Sequence, residues 1–172
     1  MSDWKGLRQK LFKAFANVPR PDFDLIPILG CCEAHEADFD WYRHHTWQEF
    51  EIAIESRGFD PYDFIAIHPQ AFHYFTPGVL SVAIQQIMTD PYKYWDYESW
   101  IQHYIVDPAG KFREEKLPYF DVDQRGVIAE ILDWYRSWYF SQNGFDYNER
   151  SDGKRHKPTI LDSIDQVWRM SA

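Results

Sequence analysis

Apolar residues return every four positions near the start of the chain, at Leu7, Leu11 and Phe15, with Trp4 and Phe12 beside them. Lys5, Arg8, Lys10 and Lys13 lie opposite, so the spacing predicts an amphipathic helix over 4–18. Pro19 and Pro21 end it. The apolar run 24–32 is broken by Pro27, which suits an edge strand or an extended loop and excludes a central strand. Thr46 and Glu49 then have the spacing of a capping box, ahead of Trp47, Phe50 and Ile54, and Gly58 stops that short helix.

Further on, 63–67 is a brief apolar stretch, and 70–75 has room for one or two helical turns. Thr76 reads as an N-cap with Pro77 at the first helical position, where a missing N–H costs nothing. Val79, Leu80, Val82, Ala83, Ile84, Ile87 and Met88 follow. A helix apolar on nearly every side belongs inside a fold, so 77–89 is expected to be the central helix, closed by Asp90 and Pro91. Trp100, Ile101, Tyr104 and Ile105 mark the inner face of another helix, and 107–118 reads as a loop. Asp121 with Gln124 forms a second capping box. Behind it Ile128, Ile131, Leu132, Tyr135, Trp138 and Tyr139 repeat at steps of three and four, which predicts the longest helix, ended by Asn143 and Gly144.

The polar segment 145–158, with Lys154, Arg155, His156 and Lys157, is expected to be a mobile linker. Ile160, Leu161, Ile164, Val167 and Trp168 return at helical spacing and predict a last helix, 159–170, docked on the core. The expectation is one domain over 1–172, mainly α: a compact bundle of six or seven helices around 77–89, with at most a short two-stranded element near 25–31 and 63–67. An α+β fold is the alternative.

The stretch His68-Pro69-Gln70-Ala71-Phe72-His73-Tyr74-Phe75-Thr76-Pro77-Gly78-Val79-Leu80 resembles a bacterial helical domain family of unknown function. That family carries an "eafhYflPafL"-like motif, here residues 70–80. Trp47 before it, Gln124 in the first turn of a later long helix and Trp168 near the end match further positions of the pattern. Thr76 and Gly78 depart from it, standing where the family has an apolar residue and a small or apolar one. The resemblance spans most of 4–168 and implies a bacterial helical protein with no assigned reaction. Domains of this size and character are also similar to immunity proteins that neutralise a toxin.

Composition adds two features. Thirteen Phe, eleven Tyr and eight Trp make 19% of the 172 residues aromatic, more rings than a core of this size demands. Tyr and Trp left at a surface are enriched where proteins bind one another. The net charge is -9, which disfavours nucleic acid and anionic lipid as partners and suits a basic protein. The absence of a signal peptide pattern or an apolar run long enough to span a bilayer makes a soluble, cytoplasmic protein the expectation. No cofactor signature is present.

Acidic residues concentrate between Glu33 and Asp63: Glu33, Glu36, Asp38, Asp40, Glu49, Glu51, Glu55, Asp60 and Asp63, against Arg43 and Arg57. A field of this kind steers a basic partner, while the plainer reading is a solvated face. On the longest helix Trp134 and Trp138 share one face, with Tyr135 and Tyr139 about 100° round. One face should be core and the other a ridge of rings. The expected partner-binding residues are therefore Glu36, Asp38, Asp40, Glu49, Glu51, Glu55, Trp134 and Trp138, in a non-enzymatic acidic protein-binding module.

Two alternatives compete with this reading. Cys31, Cys32, His35, His44 and His45 provide metal-ligand types, with Cys32, His35 and His44 as the candidates, but a second short-spaced pair is missing. With His68, His73 and Tyr74 they would give a metal-dependent or acid–base enzyme. His73 and Tyr74 also fit simple packing. The third reading is a homo-oligomer whose extra rings form a self-interface.

Overall fold

A computed structural model describes residues 3–22, 42–50, 67–89, 101, 114–142 and 168–169. These residues are mainly helical. The elements expected at 24–32, 51–63, 90–100, 102–113 and 143–167 lie outside the described residues. Of the short strand pair only Ile67 is described, as a buried single bridge residue.

Helix α1, Trp4–Phe15, begins where the Asp3 carboxylate accepts the Gly6 N–H at 2.7 Å. This satisfies one of the donors that every helix start leaves orphaned. Its four-residue stripe, Leu7, Leu11 and Phe15, is fully buried. The helix packs along α3 (Val122–Gln142) and, less extensively, on α2 (Pro69–Thr89). Polar links fix both contacts. Arg8 donates to the buried Ser81 hydroxyl of α2 at 2.8 Å. Lys10 reaches both carboxylate oxygens of Glu130 on α3, at 2.6 and 2.9 Å. The second pair is exposed, so it contributes about 1 kcal/mol or less, and burial of the apolar stripe provides most of the stabilisation.

Helix α2 corrects the expected start. It runs unbroken from Pro69, with Pro77 in its interior. Thr76 is therefore not an N-cap. Its hydroxyl donates back to the Phe72 carbonyl at 2.7 Å, the bond a threonine makes inside a helix. Pro69 takes the first-turn role that the reading gave to Pro77. The Phe72 N–H donates to the His68 carbonyl at 2.8 Å, and His68 Nδ1 accepts the Gln70 N–H at 3.3 Å. Pro77 has no N–H to give the carbonyl of His73, a defect worth about 3 kcal/mol in an exposed helix. Here it is offset by tertiary packing, because every residue from Ala71 to Ile84 except His73 is buried.

A turn of 3-10 helix, Trp47–Glu49, lies directly on α2. Gly78 is what permits this approach. A Cβ there would stand 2.3 Å from the Trp47 carbonyl oxygen and 3.1 Å from two carbons of the Phe50 side chain. Around the contact Tyr42, Phe50 and Phe75 form a triangle of rings 5.1 to 5.8 Å apart, and Phe12 of α1 meets Trp47 at 4.9 Å. Glycine at position 78 thus has a steric cause in this chain.

A second 3-10 turn, Leu117–Tyr119, leads into α3. Arg125 holds it, donating to the Phe120 carbonyl at 2.9 Å and the Leu117 carbonyl at 3.0 Å. Before it, Lys116 is buried with its ammonium 4.3 Å from the centre of the Phe72 ring. Phe120 in turn meets Trp168 edge-on at 5.3 Å, and Arg169 pairs with Asp133.

Gly78→Ala is expected to destabilise the protein by about 3 kcal/mol or more, since the obstructing atom is backbone. Urea denaturation measures this. A loss no greater than that of Gly126→Ala, where an added Cβ meets nothing within 4 Å, would refute the steric role.

Candidate functional site

The capping box at the start of α3 also reaches α1 and α2. At the N-terminus of α3, the Asp121 carboxylate accepts the Gln124 N–H at 2.8 Å, and Gln124 Oε1 accepts the Asp121 N–H at 3.1 Å. This is the reciprocal box read from the sequence, with Asp and Gln in the two roles. The Gln124 side chain goes further than capping. Its Nε2 donates to the Ala14 carbonyl in the last turn of α1 at 3.3 Å, and its Oε1 lies 2.7 Å from His73 Nε2 on α2. One buried carboxamide therefore joins α1, α2 and α3.

Its partners determine the proton position on His73. The Ala14 carbonyl can only accept, and the Asp121 N–H can only donate, so the amide orientation is fixed. Oε1 is then the atom facing His73, and Nε2 of the ring must carry hydrogen. The ring is enclosed by Phe15 at 5.5 Å and by Phe120 at 4.7 Å. Burial pushes its pKa below 6.5, against smaller opposing effects of the Gln124 hydrogen bond and Asp121. His73 is thus a neutral packing residue with one nitrogen committed. Tyr74 beside it is buried, and burial pushes its phenol up.

Of the expected acidic site, Glu49 alone is described; Glu36, Asp38, Asp40, Glu51 and Glu55 lie outside the described residues. Glu49 is exposed, but its carboxylate caps a helix start. One oxygen accepts the Thr46 N–H at 2.6 Å and the Thr46 hydroxyl at 2.9 Å. These bonds, assisted by His45 and Arg20, hold its pKa below the usual value. His44 is exposed, and Cys32 and His35 lie outside the described residues. No group of three His, Cys, Asp or Glu residues able to hold a metal occurs among the described residues.

The rings fare differently. Trp134 and Trp138 are half-buried at the edge of the core, whereas Tyr135 is fully buried. Trp134 stacks on Trp4 of α1, with ring centres 5.5 Å apart and planes 27° from parallel. Tyr135 in turn lies 6.1 Å from both Trp138 and Tyr139. Trp4, Trp134, Trp138 and Tyr139 thus form a strip of partly exposed rings against the core, and its Trp4–Trp134 end lies at the α1–α3 contact. Sequence reasoning missed the part Trp4 plays; its spacing of three from Leu7 was the available signal. The carboxylates nearest in α3 are already paired. Glu130 binds Lys10, and Asp133 lies between Arg136 at 3.4 Å and Arg169.

No family model, curated protein or solved structure matches the chain. Half-exposed indoles with local charges neutralised can give apolar contact area. They offer no nucleophile, and His73, the histidine against Phe15 and Phe120, is committed to Gln124.

Replacing Gln124 with Met leaves the His73 and Asp121 N–H groups without their acceptor and should cost about 1–3 kcal/mol in urea denaturation. His73 also makes stability depend on pH. Its folded pKa is lowered, so its contribution is complete above 6.5 and is lost as acid protonates the unfolded chain first. Stability should decline as pH falls below 6.5, and His73→Gln, which keeps an N–H donor, should flatten that slope. Parallel slopes for the two proteins would refute this assignment.

Proposed function

We propose that the protein is a non-enzymatic, acidic protein-binding module. The observation that carries this reading is the strip of half-buried rings, with Trp4 stacked on Trp134 where α1 meets α3. Indoles held in a fixed geometry at partial exposure give a partner large apolar contact at little cost in side-chain entropy. The net charge of -9 favours a basic partner. At finer grain, we assign the chain to the bacterial helical family that its 70–80 segment resembles. Its role there is that of a cytoplasmic immunity protein which blocks a basic toxin and uses no cofactor. In this reading the carboxylates between Glu33 and Asp63 provide the steering field, and the rings provide the contact. The architecture proposed with it is six or seven helices around α2, whose burial on nearly every side supports that arrangement.

None of the described residues forms a helix long and apolar enough to cross a membrane. The acid–base alternative loses support from His73, whose Nε2 is held by Gln124. The metal alternative rests on Cys32 and His35, outside the described residues, and on the exposed His44.

The test is capture of partners from native lysate at low and high salt, with the wild type and with Trp134→Ala. A partner retained by the wild type at low salt should weaken by about 2 kcal/mol, roughly thirtyfold, with Trp134→Ala. High salt should weaken it further. A partner held equally by a cooperatively melting Trp134→Ala protein would overturn the role of the rings, and one held equally at high salt would overturn the role of charge.

A further inference from the structure

At the opposite end of α3 from Trp138, a second face stands out. Among the described residues three large hydrophobic side chains are exposed, and two of them, Tyr119 at 39% and Val122 at 68%, fall within four positions. Single exposed apolar residues are ordinary. What sets this pair apart is Gly126, one turn beyond Val122 on the same solvent-facing side of α3. Glycine inside a helix lowers its stability relative to alanine. A Cβ at Gly126 would meet nothing within 4 Å, so no contact among the described residues requires the glycine. The contrast with Gly78 is direct, because there the nearest atom would be 2.3 Å away.

The setting is rigid and negative. Arg125 clamps the turn bearing Tyr119 through two carbonyls, and the Asp121–Gln124 box fixes the helix start beside Val122. Glu114, Glu115, Asp121 and Asp123, all within five positions of Tyr119 or Val122, are exposed. Glu114 and Asp123 form no ion pair among the described residues, while Lys116 is buried against Phe72. Arg125 is turned to the backbone carbonyls of Leu117 and Phe120, so among the described residues the Glu114 and Asp123 carboxylates keep no ion-pair partner.

We propose that this face docks a cationic amphipathic helix. Its apolar side rests on Tyr119 and Val122, its basic residues meet Glu114 and Asp123, and its backbone comes close to α3 at Gly126, where no side chain intervenes. The glycine is then explained by the partner. This face is separate from the ring strip, and the inference does not depend on the role of the rings.

The test uses a fluorescently labelled amphipathic peptide of leucine and arginine, with a leucine–glutamate peptide as the opposite-charge probe, and reads anisotropy at low salt. The wild type should bind the arginine peptide at least tenfold more tightly than the glutamate peptide. Val122→Lys should weaken that binding tenfold, whereas Met88→Lys, the same charge change at an exposed residue on α2, should stay within twofold. Gly126→Ala should raise the urea midpoint and still weaken binding. A tenfold loss with Trp134→Ala and none with Val122→Lys would place the peptide on the rings and overturn the proposal. Equal losses for Val122→Lys and Met88→Lys would reduce the effect to net charge and overturn the proposal. So would a Gly126→Ala protein that binds as the wild type does, or a wild type that does not distinguish the two peptides.

Discussion

The described structure turns on the side-chain amide of Gln124. Three elements distant in sequence meet at this group, and each depends on the other two for the orientation of a hydrogen bond. The Ala14 carbonyl and the Asp121 N–H set the amide, and the amide sets the tautomer of His73. Because the group is buried, water cannot replace a lost partner cheaply. A buried network with directed hydrogen bonds to three elements specifies one arrangement of the helices, whereas the apolar contacts around it tolerate several. The Phe15 and Phe120 rings that enclose His73 tie this polar junction to the apolar core.

A steric constraint complements this polar one. The turn Trp47–Glu49 lies so close to α2 that the helix has only hydrogen to offer at Gly78. The same helix contains Pro77, and a glycine–proline pair in mid-helix is a poor choice for an isolated helix. It is tolerated because α2 is surrounded, so its stability comes from neighbours and not from its own propensity. The glycine serves the approach of a neighbour. The proline removes one helical N–H donor opposite the carbonyl of His73.

How far the sequence disclosed this depended on the distance over which each cause acts. The stripe Leu7, Leu11 and Phe15 and the boxes at Thr46 and Asp121 were legible because their causes lie within four residues. The start of α2 was misread because two prolines each had a local claim to the first turn. The choice was made by the surrounding protein, which buries Pro77 and leaves Thr76 to bond back to Phe72. The ring site was half legible. A repeat of aromatic residues identified the helix and separated the buried Tyr135 from Trp134, but the partner of Trp134 lies on α1, where no short-range pattern points to it. Of the acidic site, Glu49 is the part described, and its carboxylate proves to hold a helix start. The long-range half of Gln124 was invisible for the same reason as the Trp4 stack.

The pairing of α1 with α3 also sets a schedule for synthesis. Ala14 and Gln124 are 110 positions apart, so the face of α1 that bears Leu7, Leu11 and Phe15 emerges from the ribosome well before its cover is made. At bacterial and eukaryotic elongation rates the delay is roughly 5–20 s. During that interval the nascent chain displays an oily, positively charged segment, Lys5 to Lys13, of the kind that holding chaperones engage. The fold is thus one whose first helix is made early and completed late.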